Sequence, residues 1–176
     1  MGKLALALER LSHWDEAWCL RINRASRLKW VRGLFWTVSR LGDGVFWYVL
    51  MLALLALGGK SALPAVLHML LTGTAGIAVY KFLKVRTSRP RPYQLNPCIF
   101  CAAAPLDQFS FPSGHTLHAV ALTLVALSYF PWLAGLLIPF TLLVAASRPI
   151  LGLHYPSDVL AGAALGAGLA ALVLSF

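Results

Sequence analysis

Five long apolar runs, separated by short polar patches, dominate this chain of 176 residues. They cover about Gly44–Leu57 (with a start as early as Leu34), Ala62–Leu83, Thr116–Tyr129, Leu133–Ala146 and Val159–Phe176. Inside a bilayer every backbone N–H and C=O needs a partner within the protein, so runs of this length read as spanning helices. Several fall short of the ~20 residues that a bilayer core needs, and their helices are expected to extend into the flanking polar segments. Composition agrees: 59% of residues are hydrophobic and 12% charged, about half the charge of a soluble domain. Disorder and an ordinary soluble globule are both excluded. The expected fold class is all-α: a polytopic membrane helix bundle of about five transmembrane helices, preceded by an N-terminal amphipathic interfacial helix.

That N-terminal segment differs in character. Residues 3–32 interleave Lys3, Arg10, Arg21, Arg24, Arg27, Lys29 and Arg32 with Leu, Ile and Trp. The mixture is too polar to cross a bilayer. It suits a helix in the interface, with its basic face toward lipid phosphates and Trp14, Trp18 and Trp30 at headgroup depth; a solvated helix packed on the bundle is the alternative. Leu4–Leu8 is too short for a secretory signal and runs straight into Glu9 and Arg10. The chain therefore divides into an amphipathic segment, 1–33, and a transmembrane core, 34–176. Its basic excess, 15 Lys and Arg against 6 Asp and Glu, is read as facing the bilayer, with no nucleic-acid partner.

Three polar clusters interrupt the core. Lys84-x6-Arg91-Pro92 follows the second run, Pro112-Ser113-Gly114-His115 opens the third, and Ser147-Arg148-x5-His154-x3-Asp158 joins the fourth to the fifth. Counting crossings puts all three on one face of the membrane. Their chemistry is complementary. Lys84, Arg91 and Arg148 are cations suited to a tetrahedral oxyanion, and Arg can donate two parallel hydrogen bonds. Ser113 and Gly114 precede a helix N-terminus, where backbone N–H groups and the helix dipole favour an anion. His115 and His154 offer an acid and a nucleophile. Asp158, four residues after His154, is placed to fix its tautomer. Taken singly each feature has a plainer reading: span-end cations snorkel, and Asp158 at the start of an apolar run is a helix-start residue.

Together the clusters resemble the type 2 phosphatidic acid phosphatase superfamily of membrane lipid phosphatases, whose three-part pattern matches at every defining position across residues 84–158. The resemblance implies that His154 attacks phosphorus to form a phosphohistidine and that Asp158 orients it. It implies that His115 protonates the leaving oxygen and then activates water. Lys84, Arg91, Ser113, Gly114 and Arg148 would hold the phosphoryl oxygens, with no cofactor and no metal. Vanadate-binding haloperoxidases share these motif residues but are soluble, which five apolar spans exclude.

The expected substrate is the phosphate monoester or diphosphate of a lipid, undecaprenyl diphosphate first. Phosphatidate, phosphatidylglycerophosphate, lipid A phosphates and transfer to a second lipid stay open, as does oligomeric state. The resemblance favours a bacterial inner membrane with the site at its periplasmic face. Fourteen of the 15 basic residues lie on the site face, with only Lys60 opposite, and the positive-inside rule would make that face cytoplasmic. Cys98-x-x-Cys101, in the long connection on that face, is a disulfide in an oxidising compartment or a pair of free thiols. Residues 93–110 of that connection are expected to cover the phosphate pocket. Gly162-x-x-x-Gly166 in the last run is expected to pack closely within the chain.

Overall fold

The computed structural model describes residues 2–176, whose regular structure is all helical, with no strand among them. Helix α1 spans Lys3–Asn23 and α2 spans Lys29–Arg40, with a 3-10 turn, Arg24–Arg27, between them. A π-helical turn, Leu41–Val45, carries α2 into α3, Phe46–Gly58. Helix α4 runs Leu63–Thr87, the single turn α5 covers Pro92–Leu95, and α6 spans Gly114–Tyr129. Helices α7, Ala134–Ile150, and α8, Pro156–Val173, complete the bundle. Five apolar helices, α3, α4, α6, α7 and α8, correspond to the five apolar runs of the sequence.

By length and apolar composition, three stretches are sufficient to cross a membrane: Lys29–Leu95, which contains both α3 and α4, Pro131–Ile150 and Pro156–Val173. Helix α6 has 16 residues and is the central element. Leu117, Ala119, Ala121, Val125 and Ala126 on it are fully buried. Its neighbours cover most of it, with Leu124 and Tyr129 left exposed, so a length short of the usual span is tolerated.

Helix ends do extend into the polar flanks. Helix α4 continues to Thr87, because Lys84 and Arg86 fall in its last turn, where cations suit the helix dipole. The α6–α7 connection is the 3-10 turn Pro131–Leu133, the tight hairpin expected at Phe130–Pro131–Trp132. Close packing of α8 on α6 depends on glycine: a Cβ at Gly162 would stand 2.5 Å from the Ser113 carbonyl oxygen, and one at Gly166 would stand 2.4 Å from that of Leu117. The Gly162/Gly166 pair thus serves packing within the chain, and it locks the start of α6 beside the start of α8.

Helix α1 buries a narrow stripe. Asp15, Cys19 and Asn23, spaced four apart, are buried, while Trp14 and Trp18 stay exposed on its other side. Asn23 clamps two segments: its Nδ2 donates to the Phe100 and Ile150 carbonyls at 2.9 Å each, and its Oδ1 accepts from Phe100 N at 2.8 Å. Gly152, at φ +75°, sits where a Cβ would meet the Phe100 carbonyl at 2.6 Å. That close approach fixes the loop 151–155 beneath the long connection.

Candidate active site

The end of α4, the start of α6, the end of α7 and the start of α8 meet on one face. A direct bond joins two of the clusters: Ser113 N donates to the Asp158 carbonyl at 3.0 Å. A cavity of about 650 Å³ opens beside them. Its head is lined by Lys84, Arg91, Gly114, His115, Arg148 and His154, and its deeper wall by Trp47, Met51, Met69, Leu70 and Ile77. Met69 lies fifteen residues before Lys84 on the same helix, so the cavity extends about 22 Å along α4. Tyr48, Leu70 and Ile77 line it and are themselves exposed, so the chamber is open along its apolar side.

His154 lies in the loop between α7 and α8, almost wholly buried. Its Nε2 is 3.5 Å from Arg91 Nη1, and its Nδ1 faces Asp158 Oδ2 at 3.7 Å without a hydrogen-bond partner. Burial, reinforced by the charges of Arg148, Arg91 and Lys84, holds its imidazole well below the ordinary value, so the ring is neutral at physiological pH. Asp158 is fully buried. Its Oδ2 accepts from Tyr155 N at 2.8 Å and its Oδ1 from Arg89 Nη1 at 2.7 Å.

The three cations are anchored differently. Arg91 donates from Nη1 to the Leu153 carbonyl at 2.7 Å and from Nε to the Asp107 carbonyl at 3.0 Å. Lys84 Nζ donates to Asp107 Oδ1 at 2.7 Å and to the Phe109 carbonyl at 2.8 Å. Arg148 Nη1 donates to Ser39 Oγ at 2.5 Å, while its buried Nε has no partner. An orphaned guanidinium donor in a cavity wall is costly unless an acceptor arrives. Ser113 is fully buried and caps α6: its Oγ accepts from Thr116 N at 3.4 Å and lies 2.9 Å from Thr116 Oγ1. It does not line the cavity, whereas Gly114 does.

Several residues at the site fall outside the motif positions. Arg89 ties Asp158 to Asp15 of α1, at 2.7 Å each, and its guanidinium stacks 4.2 Å over the Tyr155 ring. Asp15 Oδ1 also accepts from Ser157 N at 2.9 Å, and its Oδ2 accepts from Ser157 Oγ. Asp107 belongs to the segment Leu106–Phe109, which lines the cavity as the expected covering loop. Burial alone would raise its carboxyl, but the Lys84 and Arg91 charges hold it below the usual carboxylate range. Asp43 contacts His115. Its signal in the sequence was a lone carboxylate beside an apolar run, which marks function more often than chance. Cys19, Cys98 and Cys101 are free thiols.

An all-helical membrane bundle with buried cations and two histidines at the head of an apolar chamber is the arrangement expected of a membrane lipid phosphatase. The PAP2 superfamily pattern matches residues 65–176, and the chain belongs to that superfamily. It is 34% identical over 158 residues to the decaprenylphosphoryl-5-phosphoribose phosphatase of Mycobacterium tuberculosis, covering 86% of this chain and 81% of that protein. It is 30% identical over 132 residues to the undecaprenyl-diphosphatase BcrC of Bacillus subtilis, covering 75% and 65% respectively. The crystal structure of a transmembrane PAP2-type phosphatidylglycerolphosphate phosphatase from Bacillus subtilis superposes with a TM-score of 0.76 at 26% identity, covering 95% of this chain and 86% of that one.

Proposed function

We propose that the protein hydrolyses the phosphate or diphosphate of a polyprenyl lipid, undecaprenyl diphosphate first, through a phosphohistidine on His154. The observation that carries this reading is the chamber itself: three cations and two histidines at its head, and a tail lined by Trp47, Met51 and Met69 that is open along its apolar side. Such a site takes a headgroup and a long chain together, without extracting the lipid. Two of the relatives are named for polyprenyl-linked substrates.

In the first step His154 Nε2 bonds to phosphorus as the bond to the leaving oxygen breaks. His115 gives that oxygen a proton. In the second step His115 takes a proton from water, whose oxygen replaces His154 on phosphorus. Asp158 holds His154 by its Nδ1 side and offsets the positive charge that forms there. Lys84, Arg91, Arg148 and the Gly114 N–H stabilise the phosphoryl oxygens, with Ser113 fixing the helix start that presents them. Three cations supply the charge that a metal brings to other phosphoryl-transfer sites, so this mechanism runs without one.

The test is phosphate release by purified protein from a panel: undecaprenyl diphosphate, decaprenylphosphoryl-5-phosphoribose, phosphatidate, phosphatidylglycerophosphate and a lipid A phosphate. Polyprenyl substrates should lead. A ranking led by a glycerophospholipid would overturn the substrate assignment and leave the mechanism standing. Phosphate found on a second lipid instead of in solution would mark a transferase.

The site face is proposed as the outer face of a bacterial inner membrane, on family grounds. Cys98, exposed on that face, is a built-in reporter. A membrane-impermeant maleimide should label it in intact spheroplasts; labelling only after lysis would place the site inside.

A further inference from the structure

Two carboxylates in the cavity wall, Asp43 and Asp107, lie outside the three motifs. Asp107 neutralises two of the phosphate-site cations. Asp43 does something else. It sits in the π-helical turn Leu41–Val45, next to Gly44 at φ +131°, a conformation that side chains rarely adopt. The break in the rod brings the Asp43 carboxylate against the start of α6. There its Oδ1 contacts His115 Nε2, and its Oδ2 lies 3.5 Å from Arg40 Nη1. The contact is close but not aligned as a hydrogen bond, since His115 Nε2 has no aligned partner.

The site therefore holds two histidine–carboxylate pairs from different elements. Asp158 of α8 faces His154, and Asp43 of the first rod faces His115. A second cavity, of about 50 Å³, lies at the same pair, lined by Asp43, His115, Arg40, Ser39, Trp36 and Arg148 among others. It is polar and has room for more than one water.

We propose that Asp43 is a positioning residue for His115. It holds the imidazole in one tautomer and offsets the positive charge His115 carries before it protonates the leaving oxygen and after it has taken a proton from water. Asp43 itself stays ionised throughout. The small cavity leaves room for water beside the pair. The inference rests on the acid–base role proposed above for His115.

Steady-state kinetics of the purified full chain test it, with two substrates. One is a polyprenyl monophosphate, whose leaving alkoxide needs a proton. The other is p-nitrophenyl phosphate, whose leaving group needs little help. Asp43→Asn should lower kcat on the polyprenyl ester by about 10²-fold, the low end of what a general acid contributes, with KM little changed. Its loss on the aryl ester should be several-fold smaller. Asp43→Glu should restore part of the loss, and it carries the comparison of the two esters if Asp43→Asn fails to fold. In a His115→Ala background, Asp43→Asn should cost nothing further, because residues acting as one unit are not additive.

Unchanged kcat in Asp43→Asn overturns the proposal. So does an equal loss on both esters, or a full additional loss without His115. Wild-type activity of His115→Ala would overturn the role of His115 and this inference together. An impaired His115→Ala beside an intact Asp43→Asn would overturn this inference alone.

Discussion

Asp107 Oδ1 stands 2.8 Å from Arg91 Nη2, and the same oxygen is 2.7 Å from Lys84 Nζ. A loop carboxylate thus occupies the two cations proposed to grip phosphate. A substrate headgroup has to displace it, so the loop competes with the ligand. Asp107→Asn removes the competing charge. The inhibition constant for inorganic phosphate should fall about tenfold, equivalent to ~1.4 kcal/mol. Isothermal titration with phosphate or orthovanadate checks it; weaker binding would make Asp107 a support for the cations instead.

His154→Ala should abolish phosphate release while the protein still purifies as a folded membrane protein. Asp158→Asn should retain a measurable rate, because the nucleophile remains and only its orientation and charge partner are lost. Trapping of radiolabelled phosphate on acid-labile histidine should occur in the wild type and not in His154→Ala.

The acid side of the kcat/KM profile provides a test of the electrostatics. Burial, then Arg148, Arg91 and Lys84, all disfavour a charged His154 ring. The proposed nucleophile needs a neutral ring, so the acid limb assigned to it should lie well below pH 6.5, the ordinary imidazole value. Arg148→Gln removes one of the opposing charges. It should move that limb toward higher pH, whatever it does to the rate itself.

Arg89→Ala leaves two fully buried carboxylates, Asp15 and Asp158, without their shared cation. Removing one partner from a buried pair typically costs ~3–5 kcal/mol. Thermal unfolding in detergent should show a large loss, and removing Asp15 as well should recover part of it, since one uncompensated charge is then gone.

Chelation offers a clean check on the metal-free reading. Activity should survive EDTA, with vanadate still inhibiting. Loss on chelation with rescue by Mg²⁺ would mean that Lys84, Arg91 and Arg148 do not carry the charge assigned to them.

The apolar helices were legible because apolar density is a local property: each of the five shows within its own run. The three motif clusters were legible because each side chain keeps a short, fixed spacing from the next. What stayed hidden has partners far away in sequence. Nothing near Asp15 signals that it will meet Ser157, and Asn23 looks like one more polar residue in a basic helix until it clamps Phe100 and Ile150. Asp107 lies in a proline-rich connection with no period to exploit, so its meeting with Lys84 and Arg91 had no pattern to announce it. Ser113 reads as a phosphate ligand from its motif; that its Oγ also caps α6 is a second role that only three-dimensional packing makes visible.

The bond from Asp15 to Ser157 spans 142 residues. During synthesis at about 5–20 residues per second, α1 waits on the order of ten seconds before its counterpart exists. Until then Arg89 has Asp15 to pair with but not Asp158, and His154, the proposed nucleophile, has only just been made. A site wired in this way cannot be complete while the chain is still growing; it is assembled at a late, single moment, when the first helix closes on the last.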